Sequence, residues 1–408
     1  MGIELLNETQ TGLDRGSGIN MARNVDLGAA RTAKKDEFYT QLTDIEKEMR
    51  YYKKHFQGKT VLCNCDDPFE SNFFKYFVLN FNRLGLKKLI ATCYSGSPIA
   101  GQQLSLFDYI DGNTGNKEEN RPYKAVVTTV YDKTGDGGVD MLDVAELFKS
   151  GENELTELNG NGDFRSEECL ALLDEADIVV TNPPFSLFRE YVAALMEHQK
   201  HFIIIGNMNA ITYKEIFPLI KEDKLWIGAS IHSGDRKFYV PDDYPLNAAG
   251  CGVDEDGRRF IRVKGVRWYT NLDLKQRHEE MILVKNYTPE SYPTYDNYEA
   301  IDVSKASDIP CDYLGIMGVP ITFMDKYNPN QFDIIGCADY TGKYGSDDIG
   351  IKRIGEKWIQ VYRKNGGKGH YTANMTSLVY FDADGNARNT FKRILVRNKH
   401  PEPPKKVK

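Results

Sequence analysis

The fold of this chain is decided by residues 177–185, which read Asp-Ile-Val-Val-Thr-Asn-Pro-Pro-Phe. An acidic residue leads into a short run typical of a buried strand, and residues 186–191 continue as the start of a helix. Asn182 therefore follows the carboxyl end of a strand, which is where open α/β sheets bind their ligands. Because two consecutive prolines restrict the backbone, we expect a stiff turn that presents Asn182, the Pro183 carbonyl and the Phe185 ring together.

This turn suits one kind of chemistry. An amine attached to an aromatic ring is a poor nucleophile, because its lone pair is delocalised. The side-chain oxygen of Asn182 and the carbonyl of Pro183 can accept hydrogen bonds from its two N–H groups, while Phe185 stacks on the ring. Neither acceptor has to titrate, so the site needs no strong general base. The alternative is a proline-rich loop with an incidental asparagine, which the flanking strand and helix disfavour.

Composition favours a soluble protein with two or three domains, since the chain has 408 residues and domains have roughly 100–200 residues. Hydrophobic residues make up 41% of the chain, which is enough for a sizeable core. No apolar run approaches the ~20 residues that cross a bilayer, and the N-terminus lacks a secretory pattern. The seven cysteines are scattered. Cys63 and Cys65 have no second pair at zinc spacing, so we predict reduced thiols in a cytoplasm and no metal.

The charge pattern leaves room for a local nucleic-acid surface. A formal net charge of −7 argues against indiscriminate nucleic-acid binding. Residues 258–269 nevertheless contain five cations interleaved with apolar residues, which predicts a strand or hairpin with one cationic face. Arg262 and Lys264 would share that face. A solvated basic strand is an equally good interpretation of this segment alone.

Strands and helices alternate along the first part of the chain. Apolar runs at residues 59–65, 88–94, 177–181 and 201–206 predict strands, with helices between them at residues 71–84 and 166–174. Such alternation predicts a mostly parallel, doubly wound sheet. Thr43 and Glu46 have the spacing of a capping box, which predicts a helix from 43 to about 52. Residues 280–285 are predicted to be a last core strand.

The turn at residues 182–185 resembles motif IV, [DNS]PP[YFW], of amino methyltransferases that use S-adenosyl-L-methionine. Further segments, in order, resemble motifs of the EcoRI-type family of adenine-specific DNA methyltransferases, over about residues 34–340. Those segments are 35–40 for motif X, 64–68 for motif I, 162–164 for motif III and 267–272 for motif VIII. The motif I turn departs from the usual pattern because it has no glycine.

The resemblance implies an α/β fold with a Rossmann-like S-adenosylmethionine-dependent methyltransferase core, a smaller C-terminal α+β recognition region and no metal. The implied catalytic residues are Asn182, Pro183 and Phe185. The implied cofactor-binding residues are Phe38, Tyr39, Thr40, Asn64, Asp66, Asp67, Pro68, Asp163, Phe164 and Asn182. The residues expected to contact the target base and DNA are Phe185, Trp268, Tyr269, Arg258, Arg259, Arg262, Lys264 and Arg267.

The expected organisation is an irregular segment at residues 1–35, a catalytic domain at 36–290 and a target-recognition region at 291–408. Within the catalytic domain, residues 111–161 look like an insertion. The C-terminal region could read base edges while its cations position phosphates. Alternatively, it could be a subdomain that stabilises the fold.

The implied reaction is methylation of the exocyclic amine of an adenine flipped out of double-stranded DNA. The expected setting is the cytoplasm, for a prokaryotic or phage-encoded protein. Whether a cognate restriction endonuclease accompanies it in the same system is left open by the sequence. Two alternatives remain open. The same chemistry could act on RNA or a protein glutamine amide, or the chain could be an inactive DNA-binding relative.

Overall fold

The computed structural model describes residues 40–65, 68, 71–94, 122–232, 234–240, 246 and 250–403. Its α-helices are α1 (Leu42–Met49), α2 (Lys53–Phe56), α3 (Asn72–Leu79), α4 (Phe81–Leu84), α5 (Met141–Lys149), α6 (Glu167–Glu175), α7 (Phe188–Glu197), α8 (Phe217–Lys221) and α9 (Glu356–Lys364). Short 3-10 helices cover Phe185–Leu187, Met208–Thr212, Lys275–His278, Ala306–Asp308 and Ile321–Lys326.

Strands form one large sheet and three small sheets. The first eleven are β1 (Thr60–Cys63), β2 (Lys88–Thr92), β3 (Tyr123–Val127), β4 (Glu154–Glu157), β5 (Ile178–Thr181), β6 (His201–Asn207), β7 (Trp226–Ile227), β8 (Asp235–Tyr239), β9 (Gly252–Val253), β10 (Arg259–Lys264) and β11 (Val266–Thr270). The C-terminal six are β12 (Ala300–Asp302), β13 (Ile316–Pro320), β14 (Phe332–Cys337), β15 (Val379–Phe381), β16 (Ala387–Asn389) and β17 (Arg393–Asn398).

The large sheet has a parallel centre and antiparallel flanks. Its order is β4-β3-β2-β1-β5-β6-β11-β7. Strands β2, β1, β5 and β6 pair in parallel. The outer strands β3, β4, β11 and β7 pair antiparallel to their neighbours. The expected parallel arrangement therefore holds for the four central strands, whereas the flanks make the whole sheet mixed.

Both faces of the large sheet are covered, as predicted for a doubly wound core. Along β1, Val61 and Cys63 point into one apolar cluster, while Leu62 points into another. Helices α1, α3 and α5 cover the first face. Helices α6 and α7 and the C-terminal sheet β12-β13-β17-β14 cover the second. Continuous burial on both faces explains why the central strands are apolar throughout.

The described part of the expected insertion contributes β3 and β4 to the large sheet, and α5 packs in its core. Two local expectations about helices are corrected by the structure. Helix α1 begins at Leu42 after Gln41, whose side chain makes no cap hydrogen bond, so the predicted Thr43–Glu46 capping box does not form. The predicted helix at 71–84 is divided at Asn80 into α3 and α4.

Residues 280–285 are not a core strand, and that prediction was wrong. Ile282 is 87% exposed and Val284 is 72% exposed. The side-chain amide of Gln331 accepts a hydrogen bond from the Met281 N–H and donates one to the Met281 carbonyl, both at 2.8 Å. A side chain therefore takes the place of a neighbouring strand there, and the apolar run of the segment does not lead to a sheet.

The C-terminal residues form a small α+β unit that shares a hydrophobic core with the large sheet. Ile301, Met317 and Val396 of this unit lie in the same buried cluster as Val179 and Ile204. Residues 286–310 contribute β12 and buried tyrosine rings to this packing. Among the described residues, no helix is long and apolar enough to cross a membrane.

Candidate active site

The turn after β5 has the predicted strand–turn–helix geometry. Strand β5 ends at Thr181, the 3-10 turn starts at Phe185, and α7 follows at once. Asn182 is 2% exposed, and Pro184 lines an open cavity two residues further on. Because the Asn182 side chain is nearly enclosed, an aromatic amine can reach it only after neighbouring groups move.

Asn64 ties the end of β1 to this turn. Its backbone carbonyl accepts a hydrogen bond from the Thr181 hydroxyl, and its side-chain oxygen accepts one from the Tyr191 hydroxyl. Burial raises the pKa of Tyr191 well above its usual value, so the hydroxyl keeps its proton and remains a donor. Asn64, a predicted cofactor ligand, thus joins β1 to β5 through its backbone carbonyl and to α7 through its side-chain oxygen.

The turn after β1 has no glycine, and a cysteine adopts the strained backbone conformation that glycine would usually take there. Cys65 has a φ of 81°, in the left-handed region that glycine usually occupies. Non-glycine residues in such conformations cluster at ligand sites, because the surrounding structure must hold them there. The Cys65 side chain lines the same cavity as Pro184.

The cavity brings together three of the predicted motifs. The space between its walls, including the part that is open to solvent, is about 320 Å³. Its lining residues are Cys65, Tyr94, Gly162, Asp163, Phe164 and Pro184. These residues follow β1, β2 and β5 or precede α6, so the cavity lies at the carboxyl edge of the parallel centre. Aromatic rings beside one carboxylate suit a flat, partly polar ligand such as a nucleoside.

The side chains of Asp163 and Phe164 are held by neighbours. Arg165 grips the Asp163 carboxylate with two hydrogen bonds of 2.9 and 2.7 Å and reaches Glu190 at 2.8 Å. The Phe164 ring packs edge-on against Tyr191, with ring centroids 4.9 Å apart. Both cavity groups are therefore oriented before any ligand arrives.

Gly162 is the position where this cavity tolerates least change. Its φ is +76°, and an added Cβ would lie 2.0 Å from the backbone carbonyl oxygen of Cys93. A backbone carbonyl cannot rotate away, so Gly162→Ala must push the 162–164 turn away from the end of β2. We expect a loss of about 1–3 kcal/mol in the free energy of unfolding, together with a marked loss of affinity for S-adenosyl-L-methionine.

Denaturant unfolding and calorimetric titration of that ligand measure both effects of Gly162→Ala. Gly160→Ala is the matched control, because nothing lies within 4 Å of its added Cβ. Unchanged stability and affinity in Gly162→Ala would show that the turn moves freely and does not shape the cavity.

The remaining predicted cofactor residues are only partly described. Phe38, Tyr39, Asp66 and Asp67 lie outside the described residues. Pro68 is buried. Thr40 is 3% exposed, and its hydroxyl has no hydrogen-bond partner among the described groups. A buried hydroxyl without a partner is costly, which makes Thr40 a suitable donor to a carboxylate such as that of methionine.

The expected aromatic partners of the base are part of the core instead. Trp268 and Tyr269 of β11 are both 0% exposed. The Trp268 ring packs edge-on against Phe73, and Tyr269 packs against Phe188. Strand β11 lies between β6 and β7 with both faces covered, so neither ring is placed to stack on a base. The assignment of these two residues to the target base is therefore corrected.

Arg267 is likewise a structural residue and not a DNA contact. Its side chain is 2% exposed and forms a bidentate pair with Asp325, at 2.6 and 2.8 Å. Asp325 belongs to the 3-10 helix that follows β13. The pair thus connects the large sheet to the C-terminal unit, and the guanidinium has no access to a phosphate.

The other basic residues lie on a separate small sheet with the order β8-β10-β9. Arg262 and Lys264 are exposed on one face of β10, as predicted, and Arg259 is half-buried. Arg262 lies 3.5 Å from Asp235. Arg258 is paired with Asp254 and Asp256.

Aromatic side chains that the sequence analysis missed accompany these cations. Lys237 lies 4.5 Å above the Phe260 ring and 4.7 Å from the Tyr239 ring, and Arg258 lies 4.3 Å above Tyr239. The signal was the run of residues 236–239, in which two cations directly precede two aromatic residues. Within the part of the chain that the structure describes, no group of His, Cys, Asp or Glu could hold a metal ion.

Comparisons with known proteins point to one family. A family model described as "Adenine-specific methyltransferase EcoRI" matches residues 26–399. The chain is 46% identical over 321 residues to Type II methyltransferase M.EcoRI of Escherichia coli, covering 77% of the chain and 90% of that protein. It is 38% identical over 315 residues to Type II methyltransferase M.MpnI of Mycoplasma pneumoniae, covering 76% of the chain and 84% of that protein. No solved structure is significantly similar to the chain.

Proposed function

Because the chain belongs to the EcoRI family of adenine-specific methyltransferases, we propose that it methylates the exocyclic amine of an adenine flipped out of double-stranded DNA. The observation that carries this proposal is the Asn-Pro-Pro-Phe turn at the carboxyl edge of the parallel strands, beside the cavity. The amine of a stacked and paired adenine cannot reach such a turn, so the base has to leave the duplex.

The residues that would hold S-adenosyl-L-methionine fit its chemistry. The rings of Phe164 and Tyr94 and the carboxylate of Asp163 line the cavity and suit an adenosine. The buried hydroxyl of Thr40 can donate to a carboxylate. When bound, S-adenosyl-L-methionine supplies a methyl group on a positively charged sulfur. Phe38, Tyr39, Asp66, Asp67 and Pro68 remain proposed contacts from the family resemblance.

The protein contributes alignment and hydrogen-bond acceptors. Asn182 and the carbonyl of Pro183 accept hydrogen bonds from the adenine amine and localise its lone pair. Phe185, which is half-buried and packs on the core, offers its open side to the base. Holding the amine in line with the methyl group removes much of the entropic barrier, so no strong base is required.

DNA would be held through the cationic faces of the protein. Arg262 and Lys264 are exposed cations on β10, and Arg258 and Arg259 lie at its start. Cations on phosphates provide affinity without reading sequence. The C-terminal unit is the proposed base-reading region. Its exposed Lys352, Arg353, Lys357, Arg363 and Lys364 would hold it on phosphates.

The double variant Arg262→Ala/Lys264→Ala is expected to weaken DNA binding about equally for all sequences. Each lost phosphate contact lowers the slope of log affinity against log salt by about 0.9, so the double variant should lower it by about two. Fluorescence anisotropy over a salt series measures the slope. Lys149→Ala removes an exposed lysine on α5 that pairs with Glu146, and it should leave the slope unchanged. An unaltered slope in the double variant would remove β10 from the interface.

Labelled methyl transfer separates the main proposal from its alternatives. Purified protein is incubated with labelled S-adenosyl-L-methionine and, separately, duplex DNA, transfer RNA and a glutamine-containing protein substrate. We expect label in DNA alone, as N6-methyladenine. Label in RNA or protein would show that this molecule, and not DNA, is the substrate. Absence of both methyl transfer and cofactor binding would identify an inactive DNA-binding relative. Long-read sequencing of DNA from expressing cells would then give the recognition sequence.

The biological setting is also proposed from the relatives. M.EcoRI and M.MpnI are named Type II methyltransferases and come from bacteria. We therefore propose a bacterial or phage-encoded protein that works in the cytoplasm. A restriction endonuclease that cuts the same sequence is the partner to seek in neighbouring genes.

A further inference from the structure

Phe391 is an apolar ring that the fold leaves in solvent. Its exposed fraction is 70%, which makes it the most exposed aromatic residue of the described chain. It lies in the short turn between β16 and β17 of the C-terminal unit. A single exposed apolar residue needs no explanation by itself. Phe391 differs from such residues because hydrogen bonds fix its turn and because of where that turn lies.

The turn that carries Phe391 is fixed on both sides. Its carbonyl accepts a hydrogen bond of 2.6 Å from Arg393, and the Arg393 guanidinium is itself held by the buried carboxylate of Asp302 at 2.8 Å. On the other side, the Thr390 hydroxyl donates to the carbonyl of Leu378 at 3.2 Å. The backbone is therefore anchored to the C-terminal core while the ring projects outward. Such a ring can enter another molecule with little loss of conformational entropy.

The same turn reaches the catalytic edge of the large sheet. The Lys392 ammonium donates a hydrogen bond of 2.6 Å to the Thr212 hydroxyl. Thr212 ends the 3-10 helix that follows β6. Strand β6 runs parallel to β5, with Ile204 beside Thr181, so both strands open toward the edge that holds Asn182. The turn that carries Phe391 thus belongs to the C-terminal unit and is joined to the segment that leaves β6 at the same edge of the sheet as Asn182.

We infer that the Phe391 ring inserts into the DNA base stack beside the target adenine and fills the space that the flipped base leaves. This inference rests on the proposed function. Extruding a base costs stacking and pairing. Apolar side chains can enter between base steps, as in other DNA-bending proteins, and an aromatic ring in the vacated space stacks favourably on the bases beside it. An aromatic ring on a turn that is anchored to the C-terminal core and joined to the segment after β6 meets that requirement. Phe391 is accordingly a positioning residue that acts on the duplex and not on the methyl group.

The test compares two duplexes that both contain the recognition sequence found by sequencing. In one, the target adenine faces its normal thymine; in the other, it faces an abasic residue, so no pairing opposes extrusion. For Phe391→Ala we expect kcat/KM to fall about 10- to 100-fold on the normal duplex. On the abasic duplex, the variant and the wild-type protein should agree within about threefold. Phe391→Trp should retain most activity on both, since it keeps an aromatic wedge.

A second readout and a control complete the experiment. With 2-aminopurine at the target position, Phe391→Ala should give a smaller fluorescence increase on binding than the wild-type protein. Leu314→Ala removes another apolar side chain of the same unit, 71% exposed, and should change neither assay. An equal loss on both duplexes, or no loss on either, would overturn the wedge. If the wild-type protein methylates neither duplex, the proposed function itself fails.

Discussion

Replacing Asn182 by alanine is expected to reduce methyl transfer by at least about 100-fold while leaving the affinity for S-adenosyl-L-methionine nearly unchanged. Removing one preorganised hydrogen-bonding group from a catalytic site typically costs a factor of this size. The cavity is lined by Pro184 and not by the Asn182 side chain, so the methyl donor keeps its contacts. Single-turnover methylation and calorimetric titration measure the two quantities separately.

The matched variant for this prediction is Asn182→Asp. A carboxylate keeps the acceptor, and the motif pattern [DNS]PP[YFW] admits aspartate at this position. We therefore expect more activity in Asn182→Asp than in Asn182→Ala. Near wild-type turnover in Asn182→Ala would remove the residue from the catalytic assignment. Since Asn182 is buried, the unfolding midpoint of each variant should be measured alongside.

Breaking the Arg267–Asp325 pair is expected to lower the free energy of unfolding by about 3–5 kcal/mol. The two side chains are 2% and 7% exposed, so either partner left alone is a charge buried without compensation. Arg267 also donates to the backbone carbonyls of Val266 and His232, which would lose those bonds. Urea unfolding of Arg267→Met and Asp325→Ala measures the loss. Arg388→Ala, which breaks the exposed pair with Asp382, should cost less than about 1 kcal/mol.

The loss of unfolding free energy in Arg267→Met should increase as the pH increases. Burial already raises the pKa of Asp325, and the guanidinium beside it counteracts that rise. Without Arg267 the pKa of the folded carboxyl rises further above that of the unfolded chain. The folded protein then binds more protons, so its stability falls as pH increases through this interval. We expect a larger loss at pH 8 than at pH 5. The double variant Arg267→Met/Asp325→Leu should recover much of the stability, and a pH-independent loss would contradict the buried carboxylate as its cause.

The sequence predicted the catalytic turn because the information there is local. The run before Asn182 is apolar and β-branched, the two prolines stop the strand, and the amphipathic residues after Phe185 continue as a helix. Each of these features acts over a few residues, so neighbours along the chain decide the structure. The same reasoning identified β6, which is a continuous apolar run between two clear boundaries.

The sequence misled where distant residues decide the environment. Arg267, Trp268 and Tyr269 look like an exposed cationic and aromatic segment. In the fold they form a strand covered on both faces, and the charge of Arg267 is neutralised by Asp325, 58 residues further along the chain. A pattern of alternating residues cannot reveal such a partner. Residues 280–285 show the reverse case, in which a segment that looks buried is exposed. Its sequence is typical of a strand, but the Met281 backbone pairs with the side chain of Gln331 and not with a neighbouring strand.

The C-terminal unit and the large sheet share one buried cluster, and this limits how such an enzyme can acquire a new target sequence. Cutting the chain near residue 290 would strip Val179 and Ile204 of the apolar partners that Ile301 and Met317 provide. Grafting the C-terminal unit of a relative, which is the proposed recognition region, would require the contacts across this shared cluster to match at once. New specificity is therefore more accessible by gradual surface replacements within one lineage than by shuffling of modules.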